Sequence, residues 1–505
     1  MLVICSDLHL TDGTLNRSLS TDAFSILAER IEDLALAASW RSDGSYRPIE
    51  QLDVVLLGDV FDVLRSKHWA RRPKVRPWGN PHEPDFVEMV EGITDGILKK
   101  NCPALSMLRG LAHQGVRVPP ATASGRPAQD AEAETIPVGI HYMVGDCDWV
   151  YHLPGQNYDA IREKIRQAMG LAGRLPRPFA HDMSECDDLL QIMRRHKVAA
   201  RHGDIFDPFS FEEDRNAASL SDGLVIELIN RFPHEVEKAL GEDLPEAVYQ
   251  GLREIDSVRP LLLVPIWLDG LLERTCAFPS LRKQIKRIWN SLVEEFLEVD
   301  FVRNRDTWSS ADLVDGLERS LRFSKRVAIG WAAAVTEWIN KVRGASEQSY
   351  WRHAVTEPDF RNRRAKHIVY GHTHFAETVP LDASFAEGFV LNQMYFNAGT
   401  FRRVHQRTQL APTDHEFIAQ DTMNYTVFFQ GDERKGRPYE TWSGSLGFTP
   451  TDSTIHRIDA GHAIQPRHAI PPTPATPAAG GRRPQAPHFV VTPGKPRSAP
   501  SAEAR

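Results

Sequence analysis

The stretch His367-Ile-Val-Tyr-Gly-His-Thr-His374 decides how the rest of the chain is read. Ile368, Val369 and Tyr370 form an apolar run, two of them β-branched, and Gly371 stops it, as in a buried strand that ends in a turn. His372 and His374 follow at i and i+2. Side chains two apart on an extended chain share a face, so this spacing predicts that the pair converges on one point. Histidine is the commonest metal ligand, and a strand end holds it rigidly. Two histidines alone fit an ordinary polar loop just as well, so the argument depends on partners elsewhere in the chain.

Four other segments supply them. Leu2 to Cys5 is an apolar run that gives way to Ser6-Asp7-Leu8-His9, and Asp53-Val-Val-Leu-Leu-Gly-Asp59 ends in a carboxylate with Asp62 three residues on. Ile140-His-Tyr-Met-Val144 is followed by Gly145-Asp146-Cys147-Asp148, and Val198-Ala-Ala-Arg201 by His202-Gly-Asp204. Strands with a chemical group at each C-terminal end, separated by helical segments such as Thr21 to Ser39, predict an α/β sheet with its ligand site at those ends. Each residue alone reads as a cap, a turn or a surface side chain. Together Asp7, His9, Asp59, Asp146, His202, His372 and His374 exceed the needs of one divalent ion. They suit two ions of the Mn, Fe or Zn type sharing a carboxylate.

Composition limits the function classes. The 505 residues carry 41% hydrophobic side chains, enough for a large core, and the net charge of -7 argues against bulk nucleic-acid or anionic-membrane binding. Five scattered cysteines with no CxxC pair fit a reducing compartment rather than a disulfide framework. No signal peptide or transmembrane run is evident, and a cytoplasmic location is expected.

Along the chain, Pro119 to Thr135 reads as a flexible insertion. From 205 to 364 the strand signals give way to helical spacing, including Leu261 to Glu273 and Leu313 to Val342, which predicts an inserted helical domain. The core is then 1–204 with 365–460, and the Pro/Ala-rich segment 461–505 reads as a disordered tail.

These motifs, Asp7-x-His9, Gly58-Asp59-x-x-Asp62, Gly145-Asp-x-Asp148, His202-Gly-Asp204 and Gly371-His-Thr-His374, resemble the ordered motifs of the calcineurin-like metallophosphoesterases. The last two are most similar to those of the UDP-2,3-diacylglucosamine hydrolases. The resemblance covers roughly residues 1–204 and 366–400. It implies a four-layer β-sandwich of two mixed sheets flanked by helices, and two divalent ions, with Mn²⁺ first and Fe or Zn as alternatives. Asp7, His9, Asp59 and His374 match the ligands of one ion. Asp59, Asp146, His202 and His372 match those of the other, with Asp59 as the bridge. The implied reaction is hydrolysis of a phosphodiester or pyrophosphate-type bond by a metal-activated hydroxide, on a phosphorylated small molecule or nucleotide-lipid. Asp62, Asp148 and Asp204 are expected to orient ligands or backbone.

One motif departs from the family's Gly-Asn-His-Asp. Asp146 stands for the Asn, which makes the site less attractive to a doubly charged monoester, and Cys147 stands for the His, so a general acid is missing. His141, His152 or water is expected to protonate the leaving group, with Asp59, Cys147 and Asp148 beside the reacting atoms. Arg215 and Asn216 open the helical segment as candidate substrate contacts, with a solvated helix start as the plainer reading. Two alternatives stand beside the enzyme: a catalytically weak metal-binding scaffold, and a nuclease using the basic patch Arg71, Arg72, Lys74 and Arg76.

Overall fold

The computed structural model describes residues 1–15, 20–173, 177–305, 313–322, 338, 349–386, 389–411 and 414–445. All of them fall within one unit, Met1–Ile455. The predicted tail, and the part of the predicted Leu313 to Val342 helix beyond 322 apart from Trp338, lie outside the described residues.

The fold is mixed α/β. Its strands are β1 (Leu2–Cys5), β2 (Leu52–Leu57), β3 (Val116–Val118), β4 (Glu134–Ile136), β5 (Val138–Met143), β6 (Val198–Ala200), β7 (Val258–Arg259), β8 (His367–Tyr370), β9 (Ala376–Ala386), β10 (Phe389–Ala398), β11 (Phe401–Ala411), β12 (Asp414–Phe428) and β13 (Tyr439–Ser445). One seven-stranded mixed sheet runs β5-β2-β1-β12-β11-β7, with β13 also on β12; a second, four-stranded, runs β6-β8-β10-β9. β1, β2 and β5 are mutually parallel, as are β6, β8 and β10.

The two sheets pack face to face, and sequence alternation explains how. Leu2 and Ile4 of β1 and Val55 and Leu57 of β2 join Ala200, Val369 and Phe396 of the second sheet in one apolar layer. Val3, Cys5, Val54 and Leu56 point the other way, into the core formed with Phe24, Leu27 and Ile31 of the helix Thr21–Ala38. Both faces of β1 and β2 are therefore covered, which is why these strands read as unbroken apolar runs instead of alternating ones. Each fully buried Leu, Ile or Val contributes on the order of 1.5–3 kcal/mol. The predicted helix start holds: the Ser20 hydroxyl accepts from the Asp22 N–H.

Two expectations change. Pro119 to Thr135 is pinned rather than loose: the Tyr46 hydroxyl donates to the Pro119 carbonyl at 2.8 Å and the Tyr46 N–H to that of Gly125 at 2.7 Å. Turn residues Thr122 to Gly125 close the loop between β3 and β4, which composition alone read as slack. The helical segment 205–364 does build its own core around Phe232, Trp267, Leu268 and Trp289. It also contributes β7, which pairs in parallel with β11 (Val258 opposite His405, Arg259 opposite Gln406) and extends the large sheet. A two-residue strand is too short to show in a periodicity. No helix among the described residues is long and apolar enough to cross a membrane.

Candidate metal centre

Five parallel strands deliver their C-terminal ends to one place. Gly58 N–H bonds Met143 O at 3.0 Å, Asp7 N–H bonds Gly58 O at 3.1 Å, and Gly371 N–H bonds His202 O at 2.8 Å, so the turns after β1, β2, β5, β6 and β8 are laced together. The glycines before the ligands are required by space. A Cβ at Gly145 would lie 2.4 Å from Asp59 Oδ1 and 2.7 Å from His202 Nε2, and one at Gly371 would lie 2.0 Å from Ser6 Oγ. Asn397 donates to Gly371 O at 2.7 Å and Thr400 to Asp7 O at 2.6 Å, so the Asn397 to Thr400 turn clamps two of the ligand-bearing turns.

The seven side chains come together in two groups. Asp7, His9 and His374 form one, and Asp146, His202 and His372 the other. Asp59 lies between them, with Oδ2 3.5 Å from His9 Nε2 and Oδ1 3.6 Å from His202 Nε2. His372 and His374 do not meet at one point, contrary to the extended-chain expectation. Both have left-handed backbone, φ 66° and 65°, which turns them to different groups. Asp7, His9 and Asp59 share this conformation at φ 56°, 44° and 51°. Left-handed non-glycine residues cost of order 1–3 kcal/mol each and cluster at functional sites.

Three of the four histidines have one ring nitrogen tied and the other aimed inward. His9 Nδ1 is 2.9 Å from Asp62 Oδ2, His202 Nδ1 donates to Leu57 O at 2.9 Å, and His372 Nε2 is 3.1 Å from Asp207 Oδ2. That leaves His9 Nε2, His202 Nε2 and His372 Nδ1 facing carboxylates of the cluster. Acceptors that fix a ligand tautomer in this way are typical of metal-bound imidazole. Asp62 therefore has the orienting place expected of it. Asp207 has the same place on the other side and was not singled out by its sequence, although it lies only five residues beyond His202. Replacing Asp207 by Ala is expected to weaken binding of one of the two ions about 10–100-fold, read by metal titration; two unchanged affinities would remove this role.

The residues present fit a pair of cations. Asp7 Oδ1 is buried without a hydrogen bond, although His374 Nε2 is 3.3 Å away. The Nε2 atoms of His9 and His374 face each other at 3.2 Å. Inward-facing carboxylate and imidazole atoms are the donor set of borderline-hard divalent metals. Burial opposes ionisation of Asp7 and Asp146, but neighbouring histidines outweigh it and hold both carboxylates below their usual range, Asp146 well below. His372 goes up to about 10 against the pull of burial because Asp146 and Asp207 flank it. His374 goes well down through burial, Arg259 and His9.

The remaining predicted residues lie as follows. Cys147 is buried beside Asp59, its N–H donating to Asp59 Oδ1 at 2.8 Å, and burial followed by Asp59 pushes its thiol well up. Asp148 accepts from Val60 N, Tyr142 Oη and Gly145 N; it clips the turns after β2 and β5 together and does not face the cleft. His141 is not brought to the site: it points to Asp53, 3.2 Å away at the start of β2, the far end of the sheet. His152 and His181 flank Asn216 at 2.8 and 3.1 Å, and Arg215 is bound to Asp204 at 2.7 Å and Asp182 at 3.4 Å. Arg215 and Asn216 are thus committed to structure and do not line the cleft; neither does His152. The basic patch is partly neutralised, since Arg72 pairs with Glu88 and Arg76 with Glu227.

The centre opens into a cleft of about 850 Å³, its open mouth included. It is lined by His9, Asp59, Asp146, Cys147, His372 and His374 and by Leu220, Leu224, Val225, Leu261 and Leu262 of the helical segment. Neither a scan of protein-family models nor a search of curated proteins returns a match to this chain. The chain is a mixed α/β protein with buried Asp/His groups able to hold metal ions.

Proposed function

We propose that this protein is a dinuclear metal-dependent phosphoesterase of the calcineurin-like type, acting on a phosphodiester or pyrophosphate-type bond. The observation that carries the reading is the meeting of seven side chains from five strand ends as two ligand groups on either side of Asp59. Two bound divalent ions would supply Lewis acidity, lowering the pKa of water towards neutrality and neutralising phosphoryl charge. Asp7, His9 and His374 would hold one, Asp146, His202 and His372 the other, and Asp59 both. Asp62, Asp207 and the Leu57 carbonyl hold the imidazoles in the right tautomer. The apolar wall from the helical segment limits water around the substrate.

Cys147 keeps its proton because burial and three nearby carboxylates disfavour the thiolate. No histidine other than the ligands lines the cleft among the described residues. A substrate whose leaving group departs without strong acid help is therefore favoured, which suits an activated diester or a diphosphate. Charge points the same way. Three ligand carboxylates oppose the charge of two divalent ions, leaving one positive unit where an Asn at position 146 would leave two. Asp146→Asn is accordingly expected to raise the monoester-to-diester ratio of kcat/KM about tenfold, one charge at close range. Using a ratio cancels changes in metal content, and clear monoester preference in the unaltered protein would sink the idea.

The direct test is metal analysis of the purified protein with hydrolysis of bis(p-nitrophenyl) phosphate under Mn²⁺. About two ions per chain and metal-dependent release of nitrophenol are expected. No hydrolysis with less than one ion per chain would favour the metal-binding scaffold.

A further inference from the structure

Two elements that wall the metal cleft also wall a second cavity, of about 1280 Å³ with its open mouth included. In the turn after β2, Arg65 lines the cleft while Ser66 and Lys67 line the cavity. In the helical stretch 220–230, Leu224 and Val225 line the cleft while Ile226, Glu227 and Asn230 line the cavity. Val225–Ile229 is wound as a π-helix, with Asn230 N–H on Val225 O at 2.9 Å. Such turns are rare and occur mostly at functional sites.

The cavity is basic. Lys67, Arg71, Arg76 and Arg231 line it against two carboxylates, Glu227 and Glu235. Arg231 is spent on Glu227 at 3.5 Å and Glu295 at 2.6 Å, and Glu235 faces Lys238 at 3.7 Å. Lys67 and Arg71 make no ion pair with any described residue. Exposed cations alone would read as a solvated face. Arg76 sets these apart. Its side chain is only 12% exposed, its Nε donates to Glu227, and its Nη1 donates to the carbonyls of Trp69, Arg72 and Val75 at 3.0, 3.1 and 2.9 Å. The guanidinium is therefore already ordered, while its Nη2 makes no hydrogen bond to any described residue. A group fixed before a ligand arrives binds it at less entropic cost. A guanidinium end left over beside two unpaired cations, in a concave wall, suits an oxyanion with more than one charge.

We propose that this cavity is a second binding site, separate from the metal cleft, for a small molecule bearing at least two phosphate or carboxylate groups. Arg76 is its fixed anchor, and Lys67 and Arg71 close on the remaining charge. The site stands or falls independently of the phosphoesterase reading, because no metal ligand lines it.

The test is a binding measurement on the full-length protein. It is titrated calorimetrically with tripolyphosphate and, separately, with propane-1,2,3-tricarboxylate. Binding of one anion per chain is expected, and the tighter of the two names phosphate or carboxylate as the recognised group. The affinity is expected to fall about tenfold or more in Arg76→Gln and in the double variant Lys67→Gln with Arg71→Gln. The double variant changes only exposed side chains, so it decides the matter if Arg76→Gln fails to fold. The affinity is expected to stay within about twofold in Arg72→Gln, whose side chain pairs with Glu88 outside the cavity, and in Asp59→Asn, which alters the metal centre alone. No binding of either anion would overturn the site. So would an equal loss in Arg72→Gln, since a general surface field would then account for it. Binding that survives the double variant and disappears in Asp59→Asn would place the anion on the metals, and would overturn it as well.

Discussion

Asp59→Asn is expected to lower kcat for a phosphodiester by at least about 10³-fold and to remove about one bound ion per chain. The substitution is close to a pure charge test. Asp59 has a φ of 51°, a left-handed conformation that Asn adopts as readily as Asp, so the backbone gains no strain. An amide oxygen can still accept the Cys147 N–H that Asp59 Oδ1 now accepts at 2.8 Å. What is lost is the charge between the groups around His9 and His202, the only carboxylate among the described residues placed within 4 Å of a histidine from each group. Circular dichroism and thermal stability measured without metal should differ little from those of the parent. Metal content and rate should both fall. Equal rates in the two proteins, with equal metal content, would refute the ligand assignment.

The candidate ligands were legible because each stands just after an apolar run, with a glycine directly before it at Asp59, Asp146 and His372. Steric demand fixes those glycines, as shown at Gly145, where a Cβ would collide with Asp59 and His202. The α/β class and the helix at Thr21–Ala38 followed from the alternation of apolar runs and helical spacing, whereas the mixed sheets were expected only from the family resemblance. The partition of His372 and His374 into different groups came from the family resemblance and not from their spacing, because it depends on left-handed φ at two residues that period-two reasoning treats as extended. Neither spacing nor resemblance pointed to Asp207 or Arg259. Nothing marks an arginine in a short strand as a cleft residue, and the pairing of β7 with β11 that carries Arg259 to the cleft spans almost 150 residues of chain. His141 misled for the opposite reason. It sits in the right strand, but two residues before the strand's end, and its side chain serves Asp53 instead.

The same opening stretch yields the second large effect, through its first residue. His367 is 5% exposed and packed against Phe428 at 4.9 Å, Tyr439 at 5.7 Å and Phe396 at 5.8 Å between ring centroids, and its Nδ1 has no hydrogen-bond partner. Burial, then Lys366, pushes its pKa down to about 4. His196 also falls to about 4; its Nδ1 meets the Ile192 carbonyl and its Nε2 accepts from Gln430, a pairing that only the neutral ring can make. A folded-state pKa below the unfolded value of about 6.5 means that the unfolded chain binds more protons as pH falls. Stability from these neutral rings is therefore intact above about pH 6.5 and is lost between there and pH 4, at roughly 1.4 kcal/mol per pH unit for each ring. Two such rings over that span could remove several kcal/mol, a large part of the ~5–15 kcal/mol that holds a typical domain folded. His367→Phe takes one ring out of this linkage and supplies an apolar ring to an aromatic nest. Urea midpoints of the parent and the variant are expected to diverge on going from pH 8 to pH 5, by about 2 kcal/mol in favour of the variant. Because the Asp/His cluster is the same in both proteins, its contribution cancels in the difference. A gap between the two proteins that is the same at both pH values would show that His367 accepts its proton without cost in the folded chain.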